Sequence, residues 1–311
     1  MTEAPPPPRL SFVIPVHNEA GNVGPLHEEL RRTARDLDVA YEAIFVNDGS
    51  KDDTRACLEA LRQSDPHLKI VDLDGNFGEA AALSAGFAHA RGAVVVTLDG
   101  DGQNDPADIP RLLARLGSEL DVVSGRRYQR KERFLTRVLP SRVANWLIVR
   151  ATGVPVYDCG CGLKVYRREV VAGAQLPRGM NRFLPAILGV DPSRVGEVWV
   201  NDRERGAGRS HYGLGRTFAV VRDLLALPLL ARRRPPGPRL DRTVRGAPAA
   251  LVAGALLAVL AALGWPGERG PALVVALGAL LAAGVGWAVG YNVRRSRCAQ
   301  EVGVFRVRAV L

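Results

Sequence analysis

The opening hundred residues alternate between short apolar runs and amphipathic stretches, and this alternation limits the chain to few architectures. Leu10–Val16, Tyr41–Val46, Leu68–Leu73 and Ala93–Leu98 read as strands covered on both faces. Helical patterns over about Val23–Leu37, Thr54–Gln63 and Ala80–Ala90 separate them, a further one covers 106–116, and Val122–Ser124 reads as a fifth strand. Strands alternating with helices predict an α/β domain, a mostly parallel sheet with helices on both faces. Past Gly125 the pattern loosens. Arg142–Ala151 reads as helical, and Leu163–Arg167 and Val195–Val200 as strands. Phe218–Leu230 reads as an apolar helix suited to a membrane surface.

The fourth strand ends in Asp99-Gly100-Asp101-Gly102-Gln103, two carboxylates and an amide within five residues. Open α/β sheets bind ligands at the carboxyl ends of their strands. Hard oxygen ligands clustered there suit Mg²⁺ or Mn²⁺ carrying a phosphate. An acidic turn capping the next helix would need only Asp105, which precedes Pro106 and fills that role. Asp99 and Asp101 are left for the metal-diphosphate site, with Gln103 beside them. The second strand ends in Asn47-Asp48-Gly49-Ser50, where a carboxylate can hold a base or a ribose, or simply close an Asx turn. Glu19, Asp48 and Asp99/Asp101 lie at three strand ends and predict one polar cleft for a nucleotide diphosphate with its metal. The loop after the first strand lacks G-x-G-x-x-G, which argues against a dinucleotide-dependent dehydrogenase.

Five motifs in order carry a resemblance: Phe12-Val13-Ile14-Pro15-Val16-His17-Asn18-Glu19, Val46-Asn47-Asp48-Gly49-Ser50, Asn76-Phe77-Gly78, Asp99-Gly100-Asp101-Gly102-Gln103 and Gly208-Arg209-Ser210-His211-Tyr212. Over about residues 10–230 the chain resembles the family-2 glycosyltransferases. Its spacing is similar to the dolichol-phosphate mannose synthase and polyprenyl-phosphate glycosyltransferase branch. The resemblance implies a GT-A fold. It implies that Pro15, His17 and Glu19 border the nucleotide and that Asp48 holds the base. Asp99, with Gly100 beside it, would lie by ribose and metal, while Asp101 and Gln103 would hold metal and diphosphate. Many members carry Tyr where His17 stands. The family's Gly-x-Ser-Lys-Tyr here has Arg209 and His211, so one of these is expected to supply the cation near the diphosphate.

The acceptor side is expected to follow the fifth strand. Arg126 leads a segment in which Arg130, Lys131, Arg133, Arg137 and Arg142 interleave with Phe134, Leu135, Val138 and Leu139. Cations among apolar side chains suit a lipid phosphate at a membrane surface, though a solvated basic helix has the same composition. Arg126 is the first candidate to grip that phosphate, because a guanidinium binds two oxygens at once. Arg137 and Arg142 come next. Asp158-Cys159-Gly160-Cys161-Gly162 resembles a family loop near the acceptor. Asp158 there either polarises the site or caps the loop.

Residues 247–265 and 271–291 are almost uncharged, joined by Pro266-Gly267-Glu268-Arg269-Gly270. Each has the length of a bilayer crossing, so a transmembrane hairpin is expected, which also offers a surface for homo-oligomers. Arginines flank both ends, which places the flanks in the cytoplasm at the inner (plasma) membrane. The net charge of +10 is concentrated partly at those flanks, so anionic lipid rather than nucleic acid is the expected partner. The expected organisation is a proline-rich leader over 1–8, a GT-A domain over 9–231, a basic linker over 232–246, the hairpin over 247–291 and a cytoplasmic tail over 292–311. Cys57, Cys159, Cys161 and Cys298 show no zinc-knuckle spacing and read as reduced thiols.

The expected activity, implied by the resemblance, is inverting transfer of one sugar from a GDP-mannose-type or UDP-hexose-type donor to a dolichyl or undecaprenyl phosphate. Other readings are a membrane glycosyltransferase with another lipid or saccharide acceptor, and a non-catalytic, membrane-tethered nucleotide-binding subunit. A processive polysaccharide synthase would carry Gln-x-x-Arg-Trp, and no Arg-Trp pair occurs in the chain.

Overall fold

The computed structural model describes residues 8–128, 148–150, 152–176, 179–204 and 305–311. Eight strands form one sheet in the order β7-β5-β6-β4-β1-β2-β3-β8. These are β1 (Leu10–Val16), β2 (Tyr41–Asn47), β3 (Leu68–Leu73), β4 (Val94–Thr97), β5 (Val122–Arg127), β6 (Lys164–Arg167), β7 (Val195–Val200) and β8 (Val307–Val310). The β3-β2-β1-β4 core is parallel, as is β5 with β7. The strand β6 enters antiparallel between β4 and β5, and β8 lies antiparallel on β3. The sheet is thus mostly parallel, as expected, with two reversals that periodicity alone does not reveal.

Helices cover both faces. On one face α1 (Ala20–Asp36), α2 (Thr54–Ser64) and α4 (Ile109–Leu116) bury Val23, Leu26, Leu30, Leu58 and Leu112 against Phe12, Ile14, Phe45, Ile70 and Val96. On the other, α3 (Glu79–His89) presents Ala80–Ala82, Ala85 and Gly86. A Cβ at Gly86 would collide with Val13 and lie 3.3 Å from Val46, so small residues let this helix sit directly on β1 and β2. Asp105 caps the turn at Pro106 by accepting from the Ala107 N–H at 2.9 Å, the role expected for it. The 106–116 helix opens as a 3₁₀ turn over Pro106–Asp108 before becoming α-helical.

The chain divides into two compact units, Met1–Gly213 with Ala299–Leu311, and Leu214–Cys298. The last residues, read from sequence as a tail, therefore belong with the sheet: Ile70 and Leu311 exchange two backbone hydrogen bonds of 2.9 Å. The expected hairpin, the helix at 218–230, the basic segment 130–142 with Arg137 and Arg142, and the Arg209/His211 motif lie outside the described residues, as does most of the expected Arg142–Ala151 helix. Among the described residues no helix is long and apolar enough to cross a membrane.

Candidate active site

The adjacency of β2, β1 and β4 brings their carboxyl ends to one edge, and two glycines let the loops there touch. Gly49 has φ +62°, and a Cβ on it would lie 2.7 Å from the Asn76 backbone nitrogen, so only glycine fits against the 75–78 loop. A Cβ on Gly100 would lie 2.6 Å from Val16 Cγ1 and 3.0 Å from the Pro15 carbonyl oxygen. The Asp99–Gln103 loop therefore packs directly on the end of β1.

Asp48 is 4% exposed, and its carboxylate accepts the Phe77 and Gly78 N–H groups at 2.7 and 2.8 Å. It ties the β2 end to the entry of α3. His17 Nδ1 lies 2.7 Å from the Asp48 carbonyl oxygen. Asn18, with φ +58°, donates its backbone N–H to Ser50 Oγ at 3.0 Å and accepts from the Lys51 N–H at 2.8 Å. Glu19 donates its backbone N–H to Thr54 Oγ1 at 2.8 Å and accepts from the Asn22 amide at 2.5 Å. The β1 and β2 loops are thereby cross-linked into one surface.

Asp99 and Asp101 stand at the mouth of β4. The Asp99 backbone N–H binds Asn104 Oδ1 at 3.0 Å, and Asp101 accepts the Gln103 N–H at 3.1 Å, which curls the loop. Among the described residues the Asp99 carboxylate itself makes no hydrogen bond. Withdrawal of solvent by the packing around it, then the charges of Glu79 and Asp101, push its carboxyl up to about 7. The neighbouring acids Glu79 and Asp101 make this strand end a place where a cation would relieve like-charge repulsion. No three His, Cys, Asp or Glu side chains form a closed cage among the described residues. Two carboxylates with Gln103 leave positions for phosphate oxygens and water, which is how Mg²⁺ and Mn²⁺ are commonly held beside nucleotides. The donor set fits the metal.

The Asp158–Gly162 loop closes against this mouth. Thr97 donates its hydroxyl to the Gly162 carbonyl at 2.8 Å. A Cβ on Gly162 would overlap the Asp99 carboxylate. Lys164, 3% exposed, donates to the Cys159 carbonyl at 3.4 Å and to the Cys161 carbonyl. Cys159 and Cys161 are free, and burial pushes both thiols up to about 12, so they serve as packing rather than as nucleophiles or metal ligands. Cys57 is also free, and Cys298 lies outside the described residues.

Two adjacent arginines leave β5 in opposite directions. Arg127 forms a two-pronged pair with Asp158, at 2.8 and 3.0 Å. Burial opposes its charge, but Asp158 raises its pKa and keeps it ionised. Arg126 has a different setting. Its guanidinium lies 4.2 Å from the Trp199 ring centre and 5.0 Å from that of Tyr157, with Glu197 at 4.0 Å. Among the described residues it makes no hydrogen bond. By register Ser124, Lys164 and Thr97 share one face, so Arg126 has the parity of Asp99, while the cations whose charges act on Asp99 are Lys164 and Arg127.

Sequence reasoning missed Arg127, Lys164, Gly162, Glu79 and the Tyr157/Trp199 pair. The doublet Arg126-Arg127 carried one signal, since consecutive strand residues face opposite ways and cannot share a role. Lys164 in an otherwise apolar strand carried another.

The family described as Glycosyl transferase family 2 matches residues 11–173. A dodecaprenyl-phosphate galacturonate synthase from Rhizobium johnstonii is 43% identical over 227 residues, 72% of this chain and 67% of the relative. An undecaprenyl-phosphate 4-deoxy-4-formamido-L-arabinose transferase from Salmonella choleraesuis is 34% identical over 226 residues, 72% of this chain and 69% of the relative. Among solved structures, mannosyl-3-phosphoglycerate synthase from Rubrobacter xylanophilus has a TM-score of 0.56 at 17% identity, covering 74% of this chain and 78% of that one. Glucosyl-3-phosphoglycerate synthase from Mycobacterium tuberculosis, solved with Mn²⁺ and UDP-glucose, has a TM-score of 0.53 at 20% identity, covering 72% and 79%. These likenesses identify the fold as GT-A-like, and with the sequence relatives they establish that the chain belongs to glycosyltransferase family 2.

Proposed function

We propose that this chain transfers one sugar from a nucleotide-sugar to a polyprenyl monophosphate at the cytoplasmic face of a membrane, with inversion at the anomeric carbon. The observation that carries the reading is the division of the mouth into two signs of charge. Asp99, Asp101 and Gln103 supply an anionic, oxygen-rich rim. Arg126 shares that strand-face parity, and among the described residues its guanidinium lies against two π faces, with Glu197 4.0 Å away, and makes no hydrogen bond. Arg127 is already engaged by Asp158, so the acceptor phosphate falls to Arg126. Both sequence relatives named above act on prenyl phosphates, which favours the same acceptor class here.

A phosphate monoester has a second pKa of about 6 and is already largely dianionic at neutral pH. No strong general base is needed. The residues of the chain hold two anions in line and offset their repulsion. Asp48, through the 77–78 backbone, shapes the nucleotide side, with Pro15, His17 and Glu19 bordering it. Asp99, Asp101 and Gln103 would hold Mg²⁺ or Mn²⁺. When bound, that ion supplies charge neutralisation for the diphosphate leaving group. Arg209 or His211 would add a further cation there, and Arg137 and Arg142 would extend the acceptor side.

The membrane hairpin at 247–291 belongs to this reading. The sheet unit runs to Gly213 and resumes at Ala299, with Val307–Val310 paired on its edge. An excursion from one domain and back crosses a bilayer an even number of times, which supports two spans, with 9–231 as catalytic domain and 232–246 as basic linker.

The test is purification of the full chain in detergent and a screen of labelled donors against C55 polyprenyl phosphate, with and without Mn²⁺. UDP-galacturonate, UDP-4-deoxy-4-formamido-L-arabinose, UDP-glucose and GDP-mannose cover the sugar classes. Metal-dependent lipid-linked product is expected from one of them. Donor hydrolysis without lipid product would move the acceptor elsewhere, and neither reaction would leave only nucleotide binding.

A further inference from the structure

The largest exposed aromatic side chains of the described residues are gathered at one point. Tyr128 is 60% exposed, Tyr157 55% and Trp199 50%. Tyr128 meets Trp199 edge-on at 5.8 Å, and the Arg126 guanidinium lies between Trp199 and Tyr157. Single exposed aromatics need no explanation, but three in one contiguous patch around a cation do. The strand β7 is the edge of the sheet, and Arg126 and Trp199 are register partners on it. The patch therefore sits at a corner of the sheet, at the carboxyl ends of β5 and β7, where among the described residues no further strand covers it.

We propose that Tyr128, Tyr157 and Trp199 form a foothold in the headgroup layer of an anionic bilayer, holding Arg126 at the depth of lipid phosphates. The proposal rests on the membrane reading above and adds a contact surface to it. Tyrosine and tryptophan combine an apolar ring with a polar tip, and that amphipathic character draws them to the membrane interface. A guanidinium stacked on ring faces keeps its N–H edge outward, the geometry that meets phosphate oxygens. The nearest acid does not cancel it: one Glu197 oxygen is engaged by the Tyr157 and Asp158 N–H groups at 2.7 and 3.1 Å, and the other stands 4.0 Å from Arg126. The charge that continues from the patch in sequence matches an anionic surface, since Arg130, Lys131 and Arg133 outnumber Glu132 in the segment that follows Tyr128 and Gln129. In this arrangement Trp199 and Tyr157 are positioning residues for Arg126.

The test uses the full chain in vesicles of phosphatidylglycerol and phosphatidylcholine. Trp146→Phe, Trp265→Phe and Trp287→Phe together leave Trp199 as the sole tryptophan. Its emission is expected to be blue-shifted and quenched by headgroup-spin-labelled lipid, with little quenching by acrylamide. Emission quenched by acrylamide and untouched by the spin label would overturn the proposal. So would protection that appears only with nucleotide-sugar, which would mark a sugar-stacking site. In the second arm, Trp199→Ser with Tyr157→Ser is expected to raise KM for vesicle-embedded polyprenyl phosphate about tenfold, with the donor KM unchanged. KM for a short, water-soluble prenyl phosphate should rise much less. Equal rises for both acceptors would mean that the rings only orient Arg126, and the foothold would fall. Lipid quenching in a protein that makes no lipid-linked sugar would leave the foothold standing and remove the proposed reaction. Transfer without quenching would do the reverse.

Discussion

Gly162→Ala is a direct test of the acidic mouth. The loop carrying Gly162 is pinned: its carbonyl accepts the Thr97 hydroxyl at 2.8 Å, and the Cys159 and Cys161 carbonyls hold Lys164. It has no room to retreat. A Cβ at 162 would overlap all three atoms of the Asp99 carboxyl group, and Gly162 is not in the left-handed region, so alanine brings collision without backbone strain. Ordinary contact begins at 3.4 Å, so the carboxylate must withdraw by about 1 Å, a displacement that costs on the order of a hundredfold in rate at a reacting centre. Overpacking should cost about 1–3 kcal/mol of stability, which a domain of ordinary stability, about 5–15 kcal/mol, survives. Gly160→Ala is the matched control, because its Cβ would meet only Arg127 Nη2 at 3.4 Å and Asp158 Oδ1 at 3.8 Å, both ordinary contact distances. Initial rates of transfer and of metal-dependent donor hydrolysis, with thermal melts of both variants, make the comparison. A folded Gly162→Ala protein with near-normal kcat, or an equal loss in Gly160→Ala, would refute the placement of Asp99 at the reacting centre.

Asp101→Asn should lower metal-dependent turnover on the order of a hundredfold or more while the melt stays near that of the parent; near-normal activity in saturating Mn²⁺ and Mg²⁺ would dismiss it as a ligand. Arg126→Ala should raise KM for lipid phosphate about ten- to a hundredfold and leave the donor KM near its original value; a rise confined to the donor would assign Arg126 to the diphosphate. Asp99 has its carboxyl raised to about 7 by burial and by Glu79 and Asp101, so the folded state holds a proton that the unfolded chain releases near pH 4. The metal-free protein should therefore lose stability as pH climbs from about 4 to 7. Asp99→Asn should flatten that slope in melts across the range, and an unchanged slope would mean the group titrates normally. Removing 305–311 takes away the Asp74-to-Arg306 backbone bond of 3.1 Å and the Arg308 contact with Asp72 at 3.6 Å. Since β3 leads into the loop that holds Asp48, nucleotide affinity by calorimetry should fall several-fold, whereas deleting 246–304 with the last strand retained should weaken it less.

What could be read from sequence follows from how far apart the interacting residues are. The β1–β4 strands and α1–α3 were legible because burial on both faces writes a mostly apolar run and each intervening helix writes its own period. Asp105 was legible as a cap because cap and Pro106 are neighbours. The direction of β6 was not, since Leu163–Arg167 looks the same whichever way it runs, and only pairing with Val94–Thr97 reverses it. Arg127 and Asp158 are thirty-one residues apart, and nothing in either segment announces the other. At the site, Asp99, Asp101 and Gln103 could be read as a ligand set because one loop carries all three. The steric dependence of Asp99 on Gly162 and its charge dependence on Glu79 could not, because one partner arrives on the loop before β6 and the other at the start of α3.

The C-terminal strand shows how a single anomalous residue can stand for a long-range contact. Asp72 is the one acid in Leu68–Leu73, and it is 1% exposed. A carboxylate buried in a strand requires cations and donors around it. Three segments supply them. Asn47 donates to it at 2.7 Å from the end of β2, Arg55 stands 3.0 Å away on α2, and Arg308 reaches it from β8. Asn47 in turn accepts the Ser50 N–H at 3.2 Å, and Ser50 accepts from Asn18 beside His17. A basic, valine-rich stretch after two apolar segments reads as a cytoplasmic tail, yet the buried acid on β3 gives Arg308 a different task. The end of the chain and the nucleotide loops thus meet at one carboxylate.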